Sequence, residues 1–315
     1  MTPTKTTLHP RNPFAAPYPL EELAQLQPGL TAHQKATPDG RDTLNFADPE
    51  AVQLLNTALL QWQFDLKHYQ LPTGYLCPAV PGRLDYLLYL QDLLTDSHQG
   101  KKVPASAVQL LDIGCGANLI YCLLAAKAMR WQAIGSDIDT TALTNAAMLI
   151  EENGLQRQIS LRTQHKPQAI FHGVIKPGDY LDLTLCNPPF HDSPAAAAAG
   201  SARKQRNLGI SSEAPLNFAG QANELWCDGG EPVFLRQMLA ESKDFANQVY
   251  WFTTLVSKQQ HLAKLQQQLQ QLGATQVQVI AMAQGNKQSR ILAWSFLTPE
   301  LAALWRQHRW RRSSL

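Results

Sequence analysis

Asn187-Pro188-Pro189-Phe190 has the composition of a holder for a planar amino group. The Asn side-chain carbonyl can accept a hydrogen bond from such a group. The two prolines stiffen the turn and bring no N–H that could fold back into a ladder. Phe190 adds a π-face on which a flat ring can stack. Acceptor, rigid turn and stacking face together suit an exocyclic NH2, such as N6 of adenine, held ready to attack an electrophile. Taken alone, the four residues are as well read as an ordinary turn after a strand.

What precedes them supplies the position. The apolar run Tyr180–Cys186 reads as a buried strand, and open α/β sheets bind ligands outside the carboxyl ends of their strands. Upstream, Val108–Ile113 reads as another strand, with helix expected from Ala117 onward. Gly114 and Gly116 fall in the turn between them, where chain reversal and close approach of a ligand disfavour a Cβ. The turn lacks the third glycine of a dinucleotide fingerprint, so a bare βα turn is the competing reading. A further strand, residues 131–136, ends in Asp137-Ile138-Asp139. An acidic residue there, about twenty residues past the glycine turn, is placed to accept from both hydroxyls of a ribose. Asp139 reads as the N-cap of a helix from Thr140 to Asn153, closed by Gly154, which leaves Asp137 for the sugar.

Glycine turn, acidic strand tip and N-P-P-F occur here in the order seen in S-adenosylmethionine-dependent amino-group methyltransferases. Further blocks narrow the resemblance. His9-Pro-Arg-Asn-Pro13, Gly74–Pro78, Pro81–Tyr86 and Leu111–Asn118 resemble the large-subunit (23S) ribosomal RNA adenine-N6 methyltransferases. So do Gly135–Asp139, Cys186–His191, Leu216–Gln221, Glu224–Glu231 and Trp251–Lys258, so that the likeness runs over almost the whole chain. The blocks after N-P-P-F carry the narrow assignment, because the earlier ones are shared by many methyltransferases. The alanine run 195–199 departs from the more polar stretch expected there.

The resemblance implies a doubly wound, Rossmann-like class I methyltransferase sheet, α/β, mostly parallel with an antiparallel final strand, plus a helical N-terminal extension. It implies S-adenosylmethionine as cofactor, held by Arg83, Asp112, Gly114, Gly116, Asn118, Asp137 and Asn187. Arg83 is expected near the cofactor's carboxylate, with capping of a helix as its alternative role. Asn187, Pro188, Pro189 and Phe190 are the expected catalytic turn. Hydrogen bonds to Asn187 Oδ1 and the Pro188 carbonyl would favour an sp3-like nitrogen and bear its growing positive charge. His191 is read as a structural turn residue in preference to a general base.

Composition agrees without deciding. The chain has 315 residues, 17% charged, with a net charge of +2, so any basic surface must be local. Five cysteines show neither C-x-x-C nor His-linked spacing, which suggests no zinc site and no disulfide framework. No apolar run reaches membrane-spanning length and no signal-like N-terminus is seen, so a cytoplasmic protein, monomeric and metal-free, is expected.

Residues 1–100 read as an N-terminal extension over the cofactor side, with a helical patch at Leu20–Gln27. A second helix opens at Asp48-Pro49 and a third spans Leu84–Leu94. Residues 101–300 read as the methyltransferase domain. Its later elements are a strand at 252–256, a helix carrying Leu262, Leu265, Leu269 and Leu272, and closing strands at 276–281 and 291–296 about Gly285-Asn286. The stretch from about 191 to 231 is too long for a plain loop and reads as a lid over the substrate. Arg203, Lys204 and Arg206 within it are expected to meet RNA, as are Arg309, Arg311 and Arg312 of a basic tail, 301–315, whose arginines alternate with tryptophans. Arg11, Lys35 and Arg41 read as scattered surface charge. Two other functions share the pattern: methylation of a protein glutamine or DNA adenine, and a non-catalytic RNA-binding or assembly protein on this fold.

Overall fold

A computed structural model of the chain describes residues 7–37, 40, 42–46, 48–189, 191–193, 195–196, 226–284 and 287–311. Strands β3 (Gln109–Ile113), β4 (Gln132–Asp137), β5 (Ile159–Thr163), β6 (Leu181–Cys186), β7 (Val249–Val256), β8 (Gln276–Gln284) and β9 (Lys287–Ser295) form one sheet. Its order is β5-β4-β3-β6-β7-β9-β8. The first five are parallel, and β9 and β8 run antiparallel at the end. This is the expected Rossmann-like methyltransferase sheet. The chain winds outward from β3 through β4 to β5, then returns to β3's other side as β6. That reversal opens a crevice at the carboxyl ends of β3 and β6. The register pairs Ile113 with Cys186, so the Gly114 and Asn187 turns leave the sheet side by side.

Helices α1 (Leu20–Leu26), α2 (Pro49–Phe64), α3 (Val80–Ser97), α4 (Ile120–Leu124) and α5 (Thr140–Glu152) contribute to the core on one face. Helices α6 (Gly230–Ser242) and α7 (Leu262–Gln271) pack on the other. The first core runs without a break from Phe14 to Trp310, so the N-terminal extension and the sheet share one hydrophobic interior. Each large apolar side chain fully buried there contributes about 1.5–3 kcal/mol. The start of α2 follows its sequence: Asp48 accepts from the Glu50 N–H at 3.0 Å and Pro49 occupies the first turn.

Several elements depart from the sequence reading. The N-terminal arm carries, besides α1, a small hairpin of β1 (Gln34–Ala36) and β2 (Asp42–Leu44) that no strand pattern of useful length announces. Helix α4 starts at Ile120 instead of Ala117, because Leu119 lies in the left-handed region at φ 48° and Asn118 caps the helix from outside it. Strand β5 was not anticipated; it is the outermost strand of the sheet and only its first residue, Ile159, is buried.

The C-terminal segment is corrected most. Residues Pro299–Arg309 form helix α8, not a tail. Trp305 and Trp310 are buried, and both indole N–H groups donate to Asp182 Oδ1, at 2.8 and 2.7 Å. Asp182 is fully buried and also accepts from Arg309 at 3.2 Å and from the Gln109 N–H at 2.8 Å. The tryptophans are therefore not available to stack on bases, and Arg309 neutralises a buried carboxylate where an RNA contact was expected. The arginine–tryptophan alternation is the signature of that buried cluster. Arg311 is exposed, and Arg312 lies outside the described residues.

The arm's Arg11 is likewise no scattered charge, since it forms an ion pair with Asp92 on α3. His9 Nε2 bonds Asp92 at 2.8 Å, and Asn12 Nδ2 donates to Asp85 Oδ1 at 2.7 Å and to the Pro81 carbonyl at 2.9 Å. The His9–Pro13 block thus fastens the chain's N-terminal arm to α3.

Candidate active site

A cavity of about 520 Å³ opens at the β3/β6 crevice. Its floor is the turn after β3. Gly114 and Gly116 take φ of 72° and 61°, which side-chain-bearing residues rarely adopt, and a Cβ on Gly114 would meet open space. The Gly114 and Cys115 N–H groups both donate to the Ser136 carbonyl at 2.9 Å. Asp137, at the tip of β4, anchors the same turn: Oδ2 accepts from the Gly116 N–H at 2.8 Å and Oδ1 from the Asp139 N–H at 2.9 Å. A carboxylate has about four acceptor positions, so two remain for a ligand's hydroxyls. Burial pushes the Asp137 pKa up, against the pull of the Asp139, Gly116 and Ile138 N–H groups. Asp139 caps α5 through the Thr141 and Ala142 N–H groups and accepts from Tyr75 Oη at 2.8 Å.

Arg83, on the first turns of α3, enters the cavity from the extension side. It donates to Tyr121 Oη at 2.7 Å, with its guanidinium 5.2 Å from that ring's centroid. Among the described residues no carboxylate lies within ion-pairing distance of it. Asp112, whose side chain feels the Arg83 charge, is buried in β3 and is not among the residues that line the cavity. Desolvation pushes its pKa to about 8, opposed by Arg83 and assisted by Asp137. Asp112 is therefore largely neutral at pH 7 and leaves the Arg83 charge to be met by a ligand.

Asn118 lines the cavity, but its Oδ1 is occupied in accepting from the Ile120 N–H at 3.1 Å. Its place is a helix cap that shapes the floor. Asn187 and Pro189 line the cavity opposite, and Pro188 is buried behind them. The half-buried Asn187 amide has no hydrogen-bond partner among the described residues, and an amide held so and facing a cavity is available to a substrate. Phe190, Arg203, Lys204 and Arg206 lie outside the described residues. His191 is met through its backbone, which bridges to Trp226 and accepts from the Cys227 N–H at 3.1 Å.

The remaining walls were not anticipated as site residues. Tyr75 sits in the Gly74–Pro78 block, whose turn composition alone gave no hint of a ligand. Gln164 and the segment Pro167–Ile170 after β5 close one side, and Trp226, Val233, Phe234 and Gln237 close another. These two walls are bolted together. Glu241 Oε2 accepts from the N–H groups of Ile170 and Phe171 at 2.9 Å and of His172 at 3.3 Å. Gln237 donates to Glu241 Oε1 at 2.9 Å and to the Gln168 carbonyl. At the other end of α6, the buried Glu231 takes the Ser257 N–H and Oγ, each at 2.7 Å, and His261 Nδ1 at 3.0 Å. Among the described residues no group of three or more His, Cys, Asp or Glu is arranged to hold a metal, and the five cysteines are unpaired. No helix among them is long and apolar enough to cross a membrane.

A doubly wound sheet with a glycine turn, an acidic β4 tip and Asn-Pro-Pro at the crevice defines a class I methyltransferase. A family model described as RNA methyltransferase matches residues 2–298. The chain is 49% identical over 308 residues to the Ribosomal RNA large subunit methyltransferase F of Cronobacter sakazakii, covering 98% of this chain and 99% of that one. It is 50% identical over 298 residues to the protein of the same name from Klebsiella pneumoniae, covering 94% and 97%. The chain belongs to this RNA methyltransferase family. Among solved structures, the hMettl16 catalytic domain in complex with the MAT2A 3'UTR hairpin 1 superposes with a TM-score of 0.78 at 28% identity, covering 93% of this chain and 97% of that one. The N-terminal domain of human METTL16 in complex with SAH gives 0.74 at 27%, covering 93% and 100%.

Proposed function

We propose that this chain transfers a methyl group from S-adenosylmethionine to the exocyclic N6 of an adenosine in large-subunit ribosomal RNA. The observation that carries the reading is the Asn187 amide, which has no hydrogen-bond partner among the described residues and lines the same cavity as Arg83, Gly114 and Asp137. The residues suit the cofactor group by group. Arg83 has no carboxylate partner among the described residues and would hold the amino-acid end. Asp137 has two acceptor positions for the ribose hydroxyls, and the open space at Gly114 admits close approach. When bound, the cofactor supplies a methyl group already electrophilic on sulfur, so the protein's work is position and electrostatics.

Asn187 Oδ1 and the Pro188 carbonyl accept from the target amino group. These bonds strengthen as positive charge develops on the nitrogen, and they therefore lower the barrier more than they tighten binding. No strong base is required before transfer, because the proton leaves afterwards. The adenine reaches the cavity only from a single-stranded or flipped-out position. Arg203, Lys204 and Arg206 follow the turn in sequence and are assigned to the RNA's phosphates. The enzyme acts as a monomer, in the cytoplasm with its substrate.

The test is a transfer assay with tritiated methyl donor, offering large-subunit ribosomal RNA, DNA and total protein in parallel. Label in ribosomal RNA, recovered as N6-methyladenosine, is expected. Label in DNA or protein alone would overturn the assignment of acceptor, and no transfer to any of the three would overturn the enzymatic reading.

A further inference from the structure

Strand β6 reaches Cys186, yet its pairing with β7 ends two residues earlier, at Thr184 opposite Phe252. At the end of that ladder side-chain hydroxyls join the backbone of β6. Thr253 Oγ1 donates to the Thr184 carbonyl at 2.7 Å, and Tyr86 Oη lies 2.8 Å from Thr253 Oγ1.

The direction of every proton follows. Thr253 spends its one O–H on Thr184, so Tyr86 must donate to Thr253. A hydrogen-bonded circuit runs from Tyr86 to Thr253 and on to the Thr184 carbonyl. Tyr86, Thr253 and Thr184 are all fully buried, so no water competes for these bonds. Burial also raises the Tyr86 phenol well above its usual value, which keeps it a donor.

Tyr86 lies one helical turn past Arg83 on α3. Tyr121 joins them, accepting from Arg83 and packing edge-on against Tyr86 with ring centroids 5.6 Å apart. One helix of the N-terminal extension therefore carries the cation for the cofactor's carboxylate and reaches, through Thr253, the backbone of the strand that leads into the acceptor turn. We infer that Tyr86, with Thr253, is a positioning residue for methyl transfer: its hydroxyl fixes where the Asn187 carbonyl stands relative to Arg83. This rests on the role of Asn187 proposed above.

The experiment is single-turnover methyl transfer to ribosomal RNA with the full-length protein at saturating cofactor, for Tyr86→Phe, Thr253→Val, Thr253→Ser and the Tyr86→Phe/Thr253→Val pair. Thermal melting and cofactor affinity are measured on each. Tyr86→Phe keeps the ring and loses only the hydroxyl, so it should slow transfer roughly tenfold, the worth of one hydrogen bond, while cofactor affinity stays within about twofold. Thr253→Val should do the same, and Thr253→Ser should recover most of that loss. The double variant should be little slower than either single one, because the circuit is already broken. A folded Tyr86→Phe that melts earlier yet transfers at the wild-type rate would reduce Tyr86 to packing and overturn the inference. Should Tyr86→Phe not fold, equal rates for the Val and Ser variants at position 253 would overturn it as well. Wild-type protein that methylates no RNA would instead sink the functional reading beneath it.

Discussion

Asp137→Ala should weaken cofactor binding about 30- to 1000-fold. The figure comes from counting acceptors. Two positions of the carboxylate are engaged by the Gly116 and Asp139 N–H groups, at 2.8 and 2.9 Å, which leaves two for ribose hydroxyls. Hydrogen bonds to a charged partner contribute about 1.5–3 kcal/mol each in a dry site. Asp137 is half-buried, so about 2–4 kcal/mol for the pair is the better estimate, and about 1.4 kcal/mol corresponds to tenfold. The variant also strands the Gly116 N–H and loosens the turn, which adds to the loss. Asp137→Asn separates these effects only in part, because its amide N–H2 must face one of the backbone donors. The assay is calorimetric titration with S-adenosylhomocysteine, the product that cannot react, alongside thermal melting to confirm folding. The raised Asp137 pKa adds a sign: affinity should fall with acidification sooner than an ordinary Asp would allow, as the carboxylate protonates and loses acceptor positions. Unchanged affinity in a folded Asp137→Ala protein would refute the ribose assignment.

Asn187→Ala should lower single-turnover transfer roughly a hundredfold to a thousandfold while RNA affinity falls only a few fold; a wild-type rate would remove the Asn-Pro-Pro turn from the chemistry. Asp112 gives a pH prediction. Its folded pKa of about 8 exceeds its unfolded value near 4, so between these the folded state keeps a proton that the unfolded state has lost. Its effect on stability is therefore most favourable at acid pH and declines as pH rises toward 8, by at most about 1.4 kcal/mol per pH unit. Asp112→Asn should flatten that decline in melting curves taken from pH 5 to 9, and a parallel decline in both proteins would dismiss the neutral Asp112. Trp305→Ala should cost about 3–5 kcal/mol of stability, measured by denaturant unfolding, with little change in cofactor affinity; a loss below about 1 kcal/mol would restore α8 to the status of a loose appendage.

The parts of this site legible in the sequence are those where backbone geometry restricts residue type. Gly114 and Gly116 occupy left-handed conformations, Asp139 and Asp48 cap helices, and Pro188 and Pro189 cannot extend a ladder, so each announces its own local structure. Residues that act through tertiary neighbours announce nothing. Glu241 lies at the C-terminal end of α6, where a carboxylate reads as a solvated face until three N–H groups from the segment after β5 are seen to converge on it. Asp112 sits inside the apolar strand that the glycine turn made conspicuous, and its acidity suggested ligand contact; only its depth shows that it acts by staying uncharged.

The C-terminal segment erred for a related reason. Arginine and tryptophan in alternation suit a phosphate backbone and its bases, and they equally suit one buried carboxylate that needs several N–H donors. Composition cannot choose between them, because the deciding residue, Asp182, lies more than a hundred positions away in β6. The same strand that ends in Asn187 begins beside that carboxylate. It is thus held by opposite ends of the chain: Asp182 by α8, and Thr184, through Thr253, by Tyr86 of the N-terminal extension. Neither flanking segment contributes a strand to the sheet, yet both fix where its central catalytic strand stands. In such an arrangement, truncating either flank should harm methyl transfer without removing a single residue from the acceptor turn.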